Sequence, residues 1–333
     1  MFLSFIVPVF NTEKYLRKCL DSLLQQDLSY EDYEIVCIND GSTDRSGDII
    51  REYSILYKNI VVVEQENFGV CVARNVGFNK ASGDYIWFID SDDCIKPNCL
   101  TNLKKRILSE NADRAIVDNY SFPETEDPYL SEEWRTNTIW QDTGIWRNVF
   151  SRGFLIDHDL YFKYPELIYG EDGLFMYEVK YENPRTIHIN ATLYYCRERS
   201  GSASRTYSME AEIKRLESTI KEAKIMKEYY ESGRTDVITV DRFMSYLFGA
   251  MFCIASLPPR WRRRYLHETK QLRVFPYRRP KNCTISKSYH MNNGGTVEKI
   301  YDYIYSHLCT PWGYFAMRSW NTFFNIKKRL TRG

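Results

Sequence analysis

The sequence predicts an α/β protein with a mostly parallel sheet flanked by helices, followed by a mainly helical C-terminal subdomain. Three observations predict this fold. Strand-like and helix-like segments alternate through the first 90 residues, and polar or acidic residues directly follow two of the strand-like segments. The charge balance also changes along the chain, because residues 1–205 carry 22 basic and 33 acidic residues, whereas residues 206–333 carry 23 and 11. Alternating strands and helices of this length predict βαβ units and a parallel sheet.

The predicted strands are short apolar runs, and the predicted helices each carry one apolar face. The first strand covers residues 2–10, and Thr12 can cap the helix that follows it. The remaining predicted elements are strands at 33–39, 60–63 and 84–88 and helices at 44–57 and 70–81. Ligands of such sheets bind at the carboxyl ends of the strands, so the polar segments that begin at Asn39 and Asp90 should meet in one crevice.

The acidic segment after the fourth predicted strand is the most informative feature of the chain. Asp90, Asp92 and Asp93 follow a buried strand, where three carboxylates are electrostatically costly unless a cation lies nearby. Asp90 and Asp92 alternate, so both side chains can point to the same side. One carboxylate could then hold a divalent ion while the other bonds a sugar hydroxyl, and oxygen ligands suit Mg²⁺ or Mn²⁺. A solvated acidic loop is the alternative for this motif alone.

The ordered series of motifs in the first 205 residues resembles the inverting family 2 glycosyltransferases of bacterial surface-polysaccharide synthesis. The segments are IVPVFN at 6–11, NDGSTD at 39–44, NFGVCVARNVG at 67–77, SGDY at 82–85, DSDD at 90–93, YGEDGLF at 169–175 and RERSGS at 197–202. The resemblance implies the GT-A nucleotide-sugar-binding fold. It further implies that a sugar passes from a nucleotide-diphospho sugar, expected to be a UDP-sugar, to an acceptor hydroxyl, with Mn²⁺ or Mg²⁺ as cofactor.

The resemblance also implies which residues bind the donor. Asp40 would read the nucleobase, although its surroundings are also good turn and helix-cap chemistry. Arg74 would lie near the nucleotide, with an ion pair to a neighbouring acid as the alternative. Asp90 would hold the ribose, and Asp92 would coordinate the metal that bridges the diphosphate. The predicted nucleotide-sugar-binding residues are Pro8, Phe10, Glu13, Asp40, Asn67, Gly69, Arg74, Asp90, Ser91 and Arg197.

Two adjacent acids, Glu171 and Asp172, are the predicted catalytic residues. Without the resemblance, this pair is an ordinary start of a helix, where acids favour the helix dipole. The resemblance implies that Asp172 deprotonates the acceptor hydroxyl and that Glu171 supports it or contacts the acceptor. A sugar hydroxyl is a poor nucleophile at neutral pH, and a positioned base contributes typically about 10²–10⁴-fold to the rate. A single displacement would invert the anomeric configuration.

A basic strand end and a small-residue loop follow at 197–204. The resemblance favours a lid that closes over the diphosphate and excludes water. An exposed linker between domains has the same composition and is the alternative. The change in charge balance and the end of the resemblance predict a domain boundary between residues 205 and 206.

Residues 206–333 form a basic, aromatic-rich region with a predicted helix at 210–230. The apolar segment 243–257 is too short for a bilayer span, which needs about 20 residues. An ordinary helical subdomain, a surface that docks on an anionic membrane, and an acceptor-binding region remain open, while the absence of a recognised motif disfavours nucleic acid. The expected acceptor is a saccharide or a lipid-linked saccharide.

Two features predict a cytoplasmic location. The predicted location includes peripheral contact with the inner face of the cell membrane as an alternative to a fully cytoplasmic one. The first residues lack the basic region of a signal peptide, and nine scattered cysteines fit a reducing compartment. A catalytically inactive nucleotide-sugar-binding or scaffold protein is the alternative function. The presence of Asp40, Asp92 and Asp172 together argues against it. A nucleotidyltransferase is disfavoured because no glycine-rich phosphate loop follows the first strand.

Overall fold

The computed structural model describes residues 1–129, 144–199, 208–270 and 272. The predicted lid at 200–204 and the C-terminal residues from 273 onward lie outside the described residues. The described chain divides into two compact units. The first contains residues up to 166 together with 171–199, and the second contains residues 167–170 and the chain from 208 onward.

The first half of the sheet is parallel, as the alternation of the sequence predicts. Its elements are β1 Leu3–Val9, α1 Glu13–Leu24, β2 Tyr33–Asp40, α2 Ser46–Leu56, β3 Ile60–Gln65, α3 Val70–Lys80 and β4 Tyr85–Phe88. Strand β1 pairs with β2 on one side and with β4 on the other, and β2 pairs with β3. The predicted strands and helices of this half lie within about two residues of their expected bounds.

The second half of the sheet is mixed, which the sequence pattern did not predict. Its elements are β5 Cys94–Ile95, α4 Leu100–Ser109, β6 Arg114–Pro123, a 3-10 turn Ile145–Arg147, β7 Asn148–Ser151, α5 Arg152–Asp157, α6 Glu171–Tyr181 and β8 Thr186–Glu198. The full strand order is β3-β2-β1-β4-β7-β6-β8-β5. Strand β7 runs antiparallel to both β4 and β6, and β8 is parallel to β6 but antiparallel to β5.

The sheet of this unit is buried on both faces. In β1, Phe5 joins the core formed with α1, α2 and α4, whereas the next residue, Ile6, joins the core formed with α3 and α6. Strands covered on both sides read as continuous apolar runs rather than alternating ones, which explains the sequence of β1.

Helix α3 packs unusually close to the sheet because of Gly77. A Cβ atom at this position would lie 2.5 Å from Ile6 Cγ2 and 2.6 Å from Ile38 Cδ1, closer than real side chains approach. Gly77 therefore lets the helix backbone rest on β1 and β2. Arg74 lies one helical turn earlier on the same side of the helix, so this close packing brings it against the strand ends.

The described part of the second unit consists mainly of three helices. They are α7 Met209–Glu231, α8 Val237–Ser256 and α9 Pro259–Glu268. Side chains cap two of them, because Ser208 Oγ accepts from Ala211 N at 3.1 Å and Asp236 Oδ1 accepts from Thr239 N at 2.9 Å. Within the described residues, none of these helices combines the length and apolar character that a bilayer span requires.

Candidate active site

The loops that follow β1 and β2 are tied together by side-chain hydrogen bonds to backbone. Asn11, in a left-handed conformation with φ 52°, accepts a hydrogen bond at Oδ1 from Thr43 N at 2.8 Å. The carboxylate of Glu13 accepts from Arg45 N at 2.9 Å, and Glu13 N donates to Asp44 Oδ2 at 3.0 Å. Glu13, which the sequence predicts to bind the nucleotide sugar, therefore joins the two loops in this structure.

Asp40 anchors the loop after β3. Its Oδ1 accepts from Gln65 Nε2 at 2.7 Å and from Phe68 N at 2.9 Å, and its Oδ2 accepts from Gly69 N at 3.0 Å. The residue is only 3% exposed. Three donors therefore already occupy the carboxylate, and a nucleobase N–H would use its fourth lone pair.

Two exposed aromatic rings and an exposed amide lie on these loops. Gly41, with φ 71°, would place a Cβ 2.7 Å from Asn67 N, so the glycine allows the two loops to approach closely. Asn67 is exposed, and Phe10 and Phe68 are 45% and 58% exposed. Phe68 was missed by sequence reasoning, although an aromatic residue next to a predicted ligand-binding amide was the available signal. Pro8 lies within β1, paired with Ile38 of β2.

Two members of the acidic segment face into the protein. Asp93 Oδ2 accepts from Tyr194 OH at 2.8 Å and its Oδ1 accepts from Arg197 N at 2.6 Å. Burial, reinforced by the neighbouring carboxylates, raises the pKa of Asp93 well above its usual value. Ser91 is buried and accepts a hydrogen bond from Thr12 Oγ1 at 3.1 Å. Asp93 thus anchors the acidic segment to β8. Ser91, which the sequence predicts to bind the nucleotide sugar, anchors the segment to Thr12, the residue before α1.

Two arginines near the end of β8 have different surroundings. The guanidinium of Arg197 lies 5.3 Å from the ring centroid of Tyr15 and 4.6 Å from that of Phe122, and its Nε donates to the carbonyl oxygen of Asp92 at 2.9 Å. Arg199 instead forms an ion pair with the carboxylate of Asp92 through Nε. Arg197, which the sequence predicts to bind the nucleotide sugar, therefore bonds to the backbone of Asp92. Arg199 supplies the positive charge that faces the carboxylate of Asp92, the predicted metal ligand. Both belong to one alternating stretch, so the sequence alone did not separate them.

Asp92 could ligate a divalent ion only if a bound phosphate-bearing ligand supplied further oxygen atoms. Among the described residues, no group of three or more His, Cys, Asp or Glu side chains is arranged to hold a metal ion. Mg²⁺ and its analogues commonly bind through one or two carboxylates plus substrate phosphates and water. Asp92 supplies one such carboxylate, with Arg199 as its present partner.

Arg74 of α3 joins the two predicted catalytic acids to the acidic segment. Its Nη1 donates to Asp172 Oδ1 at 2.6 Å and to Glu171 Oε1 at 3.2 Å, and its Nη2 donates to Asp90 Oδ1 at 3.3 Å. The side chain of Arg74 is only 4% exposed. One buried guanidinium is thus shared by three carboxylates from two segments that are far apart in the sequence, Asp90 in one and Glu171 and Asp172 in the other.

The electrostatics of this cluster suit Asp172 to act as a base. Burial raises the pKa of Asp172, Arg74 opposes this effect, and Glu171 and Asp90 add to it, so the pKa is raised to about 7. Burial likewise raises the pKa of Asp90, against the effect of Arg74. Asp172 Oδ2 has no hydrogen-bond partner within the described part of the chain, and the side chain is 25% exposed. A base with a pKa near neutrality and one free oxygen can take a proton from an approaching hydroxyl.

Comparisons with known proteins place this chain in a family. The chain matches the model described as Glycosyl transferase family 2 over residues 4–167. It is 36% identical over 224 residues to glycosyltransferase GlyA of Streptococcus pneumoniae serotype 4 (strain ATCC BAA-334 / TIGR4), which covers 62% of this chain but 32% of GlyA. The matched residues make up 32% of GlyA, so this chain spans only about a third of the length of that protein.

A second relative and a solved structure match more completely. Glycosyltransferase GlyG of the same Streptococcus pneumoniae strain is 31% identical over 222 residues, which cover 61% of this chain and 73% of GlyG. The crystal structure of S. aureus TarS 1-349 in complex with UDP-GlcNAc has a TM-score of 0.55 at 23% identity and covers 78% of this chain and 83% of that chain. TarS of Staphylococcus aureus (strain Mu50 / ATCC 700699) is named a poly(ribitol-phosphate) beta-N-acetylglucosaminyltransferase. The structural likeness supports the GT-A fold.

Proposed function

Because the chain belongs to glycosyltransferase family 2, we propose that it transfers a sugar from a nucleotide-diphospho sugar to an acceptor hydroxyl, with inversion at the anomeric carbon. The observation that carries this proposal is the convergence of Asp172, Glu171 and Asp90 on Arg74. This cluster supports the assignment of Asp172 as the base, because Asp172 has one free carboxylate oxygen and shares Arg74 with Asp90 of the acidic segment that is expected to hold the donor. A single displacement needs these two components and no covalent intermediate on the protein.

The donor is proposed to be a UDP-sugar. The remaining lone pair of Asp40 can accept a hydrogen bond from a base N–H, which uracil offers at N3. The exposed rings of Phe10 and Phe68 provide apolar surface on which a base can stack. The complex of the similar protein TarS with UDP-GlcNAc supports a uridine nucleotide as the first choice for this chain.

The chemistry follows from the positions of the carboxylates. Asp172 accepts the acceptor's proton at Oδ2 while the hydroxyl oxygen forms a bond to the anomeric carbon. The bond between that carbon and the diphosphate oxygen breaks on the opposite face, and the electron pair leaves with the nucleoside diphosphate. Asp92 would hold a Mg²⁺ or Mn²⁺ ion, which when bound supplies Lewis-acid stabilisation of the departing diphosphate. The guanidinium of Arg199 is close enough to Asp92 to add a second positive charge there.

The acceptor is proposed to be a saccharide, a lipid-linked saccharide or a polyol-phosphate chain of a surface polymer. The name of TarS, a poly(ribitol-phosphate) transferase, supports the last class. Helix α9 exposes Arg260, Arg263 and Arg264 beside Trp261, and basic residues with an interfacial aromatic ring favour contact with an anionic membrane. A cytoplasmic location is supported by the described cysteines, all of which are free thiols.

A transfer assay with a panel of nucleotide sugars tests the proposal. The protein is incubated with each donor, Mn²⁺ or Mg²⁺, and simple glycoside or polyol-phosphate acceptors, and NMR records the anomeric configuration of the product. We expect one UDP-sugar to give transfer with inverted configuration. Retention of configuration would refute the single displacement. Binding of a nucleotide sugar without turnover on any acceptor would favour the alternative, a catalytically inactive binding protein.

A further inference from the structure

We propose that Arg74 is a positioning residue whose buried guanidinium fixes the carboxylates of Asp172 and Asp90 relative to each other. The proposal rests on the proposed function, because that function makes Asp172 the base and places Asp90 on the donor side. The sequence leaves two roles open for Arg74, a nucleotide contact and an ion pair with a neighbouring acid. The proposal develops the second role, in which the ion pairs of Arg74 set the geometry between base and donor.

The contacts of Arg74 leave it little capacity to bind a nucleotide. Nη1 serves both Glu171 and Asp172, and Nη2 serves Asp90. Nε is buried and makes no hydrogen bond within the described residues. With the side chain 4% exposed, a nucleotide would have to displace a carboxylate to reach the guanidinium, and that would leave the carboxylate buried without its counter-ion.

An aromatic ring from another segment of the chain also contacts the guanidinium of Arg74. The guanidinium lies 5.1 Å from the ring centroid of Phe162. Asn75, the next residue on α3, donates from Nδ2 to Phe162 O at 2.9 Å and accepts at Oδ1 from Phe162 N at 3.0 Å. The ring of Phe162 stacks on Phe175 of α6 with centroids 4.6 Å apart.

These contacts connect three parts of the fold to one guanidinium. Helix α3 carries Arg74, helix α6 carries Asp172, and Asp90 follows β4. The reciprocal hydrogen bonds of Asn75 and the ring stack of Phe162 fix α3 and α6 beside each other. The planar fork of an arginine offers several N–H groups at fixed angles, so it can set the positions of two carboxylates at once. A lysine ammonium is a single point with rotatable N–H groups and fixes no such angle between two partners.

The same contacts decide how Asp172 titrates. The titratable groups that face it are Arg74 and Cys71 on α3, Asp90 after β4, and Glu171 on its own helix. Arg74 supplies the positive charge that opposes the effects of burial and of the two acids on the pKa of Asp172. If Arg74 is replaced by a neutral residue, those effects remain, so the pKa of Asp172 should rise further and the acid limb of the kcat profile should move to higher pH.

The experiment compares Arg74→Lys and Arg74→Met with the wild-type protein. We expect Arg74→Lys to lower kcat about 10²-fold, because small misplacement of a reacting group has costs of this order, while the donor Kd changes by less than about fivefold. We expect Arg74→Met to shift the acid limb of the pH profile upward. Arg147→Lys is the matched control, since Arg147 is also buried and pairs with Asp118 elsewhere, at 3.8 Å. It should lower thermal stability without moving the pH profile.

A direct titration of Asp172 separates this proposal from the proposed function. The carboxyl carbon of Asp172 is followed by NMR against pH in the wild-type and variant proteins, with Asp172→Asn for assignment, and needs no activity. An unchanged titration in Arg74→Met, or kcat within threefold of wild type in Arg74→Lys, would overturn the role of Arg74. If Arg74→Met does not fold, Arg74→Lys and the titration decide the question. A wild-type protein that shows the expected titration but transfers no sugar would refute the proposed function alone.

Discussion

Asp40 and Asp172 lie in the same unit, and the partners of their carboxylates differ. Asp40 accepts three hydrogen bonds, all from neutral donors, and two of these donors are backbone N–H groups. Asp172 shares one guanidinium with Asp90 and Glu171, so its surroundings hold more negative than positive charge. The hydrogen bonds of Asp40 therefore hold the proposed recognition side in one geometry. On the proposed catalytic side, burial and the two neighbouring acids outweigh Arg74 and raise the pKa of Asp172 to about 7.

The largest effect is expected from removing the base on the catalytic side. Asp172→Asn should lower kcat by about 10²–10⁴-fold, because the amide cannot take the hydroxyl proton. Donor affinity, measured by calorimetry, should stay within about threefold of wild type. Asp157→Asn, an exposed acid on α5, is the control and should leave both quantities unchanged. A folded Asp172→Asn protein with a near-normal rate would remove Asp172 from the mechanism.

The recognition side should respond in the donor KM instead. Asp40→Asn turns one carboxylate oxygen into an NH₂ group that faces backbone N–H groups, so the loop of Phe68 and Gly69 loses at least one hydrogen bond. A lost bond of about 1 kcal/mol corresponds to a rise of roughly five- to tenfold in the donor KM. The control is Asp48→Asn, an exposed acid on α2. A fall in kcat with an unchanged KM would contradict the division of roles between Asp40 and Asp172.

Metal binding should depend on the donor because Asp92 is a single carboxylate already paired with Arg199. Mn²⁺ alone should leave the melting temperature unchanged, whereas UDP with Mn²⁺ should raise it by several degrees, as mass action predicts for a ligand that binds only the native state. EDTA and Asp92→Ala should both abolish the rise. Stabilisation by Mn²⁺ alone that is lost in Asp92→Ala would show a metal site complete without the donor.

The smallest effect concerns stability and sharpens the contrast between the two acids. The pKa of Asp172 is raised above its unfolded value, so its contribution to stability is present at low pH and is lost as the pH rises through about 7. Asp172→Asn carries no such loss. The variant should therefore melt about 2–4 °C higher than wild type at pH 8, with a smaller difference at pH 5, as measured by calorimetry. A difference that does not change with pH would argue against the raised pKa.

The sequence predicted the parallel half of the sheet well, because its strands are short apolar runs and its helices each carry one apolar face. It did not predict the antiparallel strand Asn148–Ser151, whose four residues carry too short a pattern to indicate direction. The candidate acids were identified from the resemblance. An ion pair of Arg74 with a neighbouring acid was one of its two predicted roles, and the structure contains such a pair with Asp90. The bonds of Arg74 to Glu171 and Asp172 were not predicted, since Arg74 lies 97 positions from Glu171 and 98 from Asp172, and local patterns carry no information on such pairs.

The two arginines of β8 illustrate the same limit. Alternation predicts that Arg197 and Arg199 face the same side, and either arginine could bind a diphosphate. Both guanidinium groups lie near the ring of Tyr15. They differ because Arg197 also packs on the ring of Phe122, whereas Arg199 pairs with the carboxylate of Asp92. These contacts depend on side chains from other segments of the chain.

The close seat of helix α3 on the sheet gives Gly77 a consequence for comparing related sequences. A chain could retain every acidic motif of this site and still be inactive if a larger residue stood at this position, since the clash with Ile6 and Ile38 would lift the helix and carry Arg74 away from the strand ends. Surveys that separate active from decayed homologues by their carboxylates alone would count such a chain as functional. Glycine at position 77 is therefore as informative about whether such a chain is active as an aspartate in one of the acidic motifs.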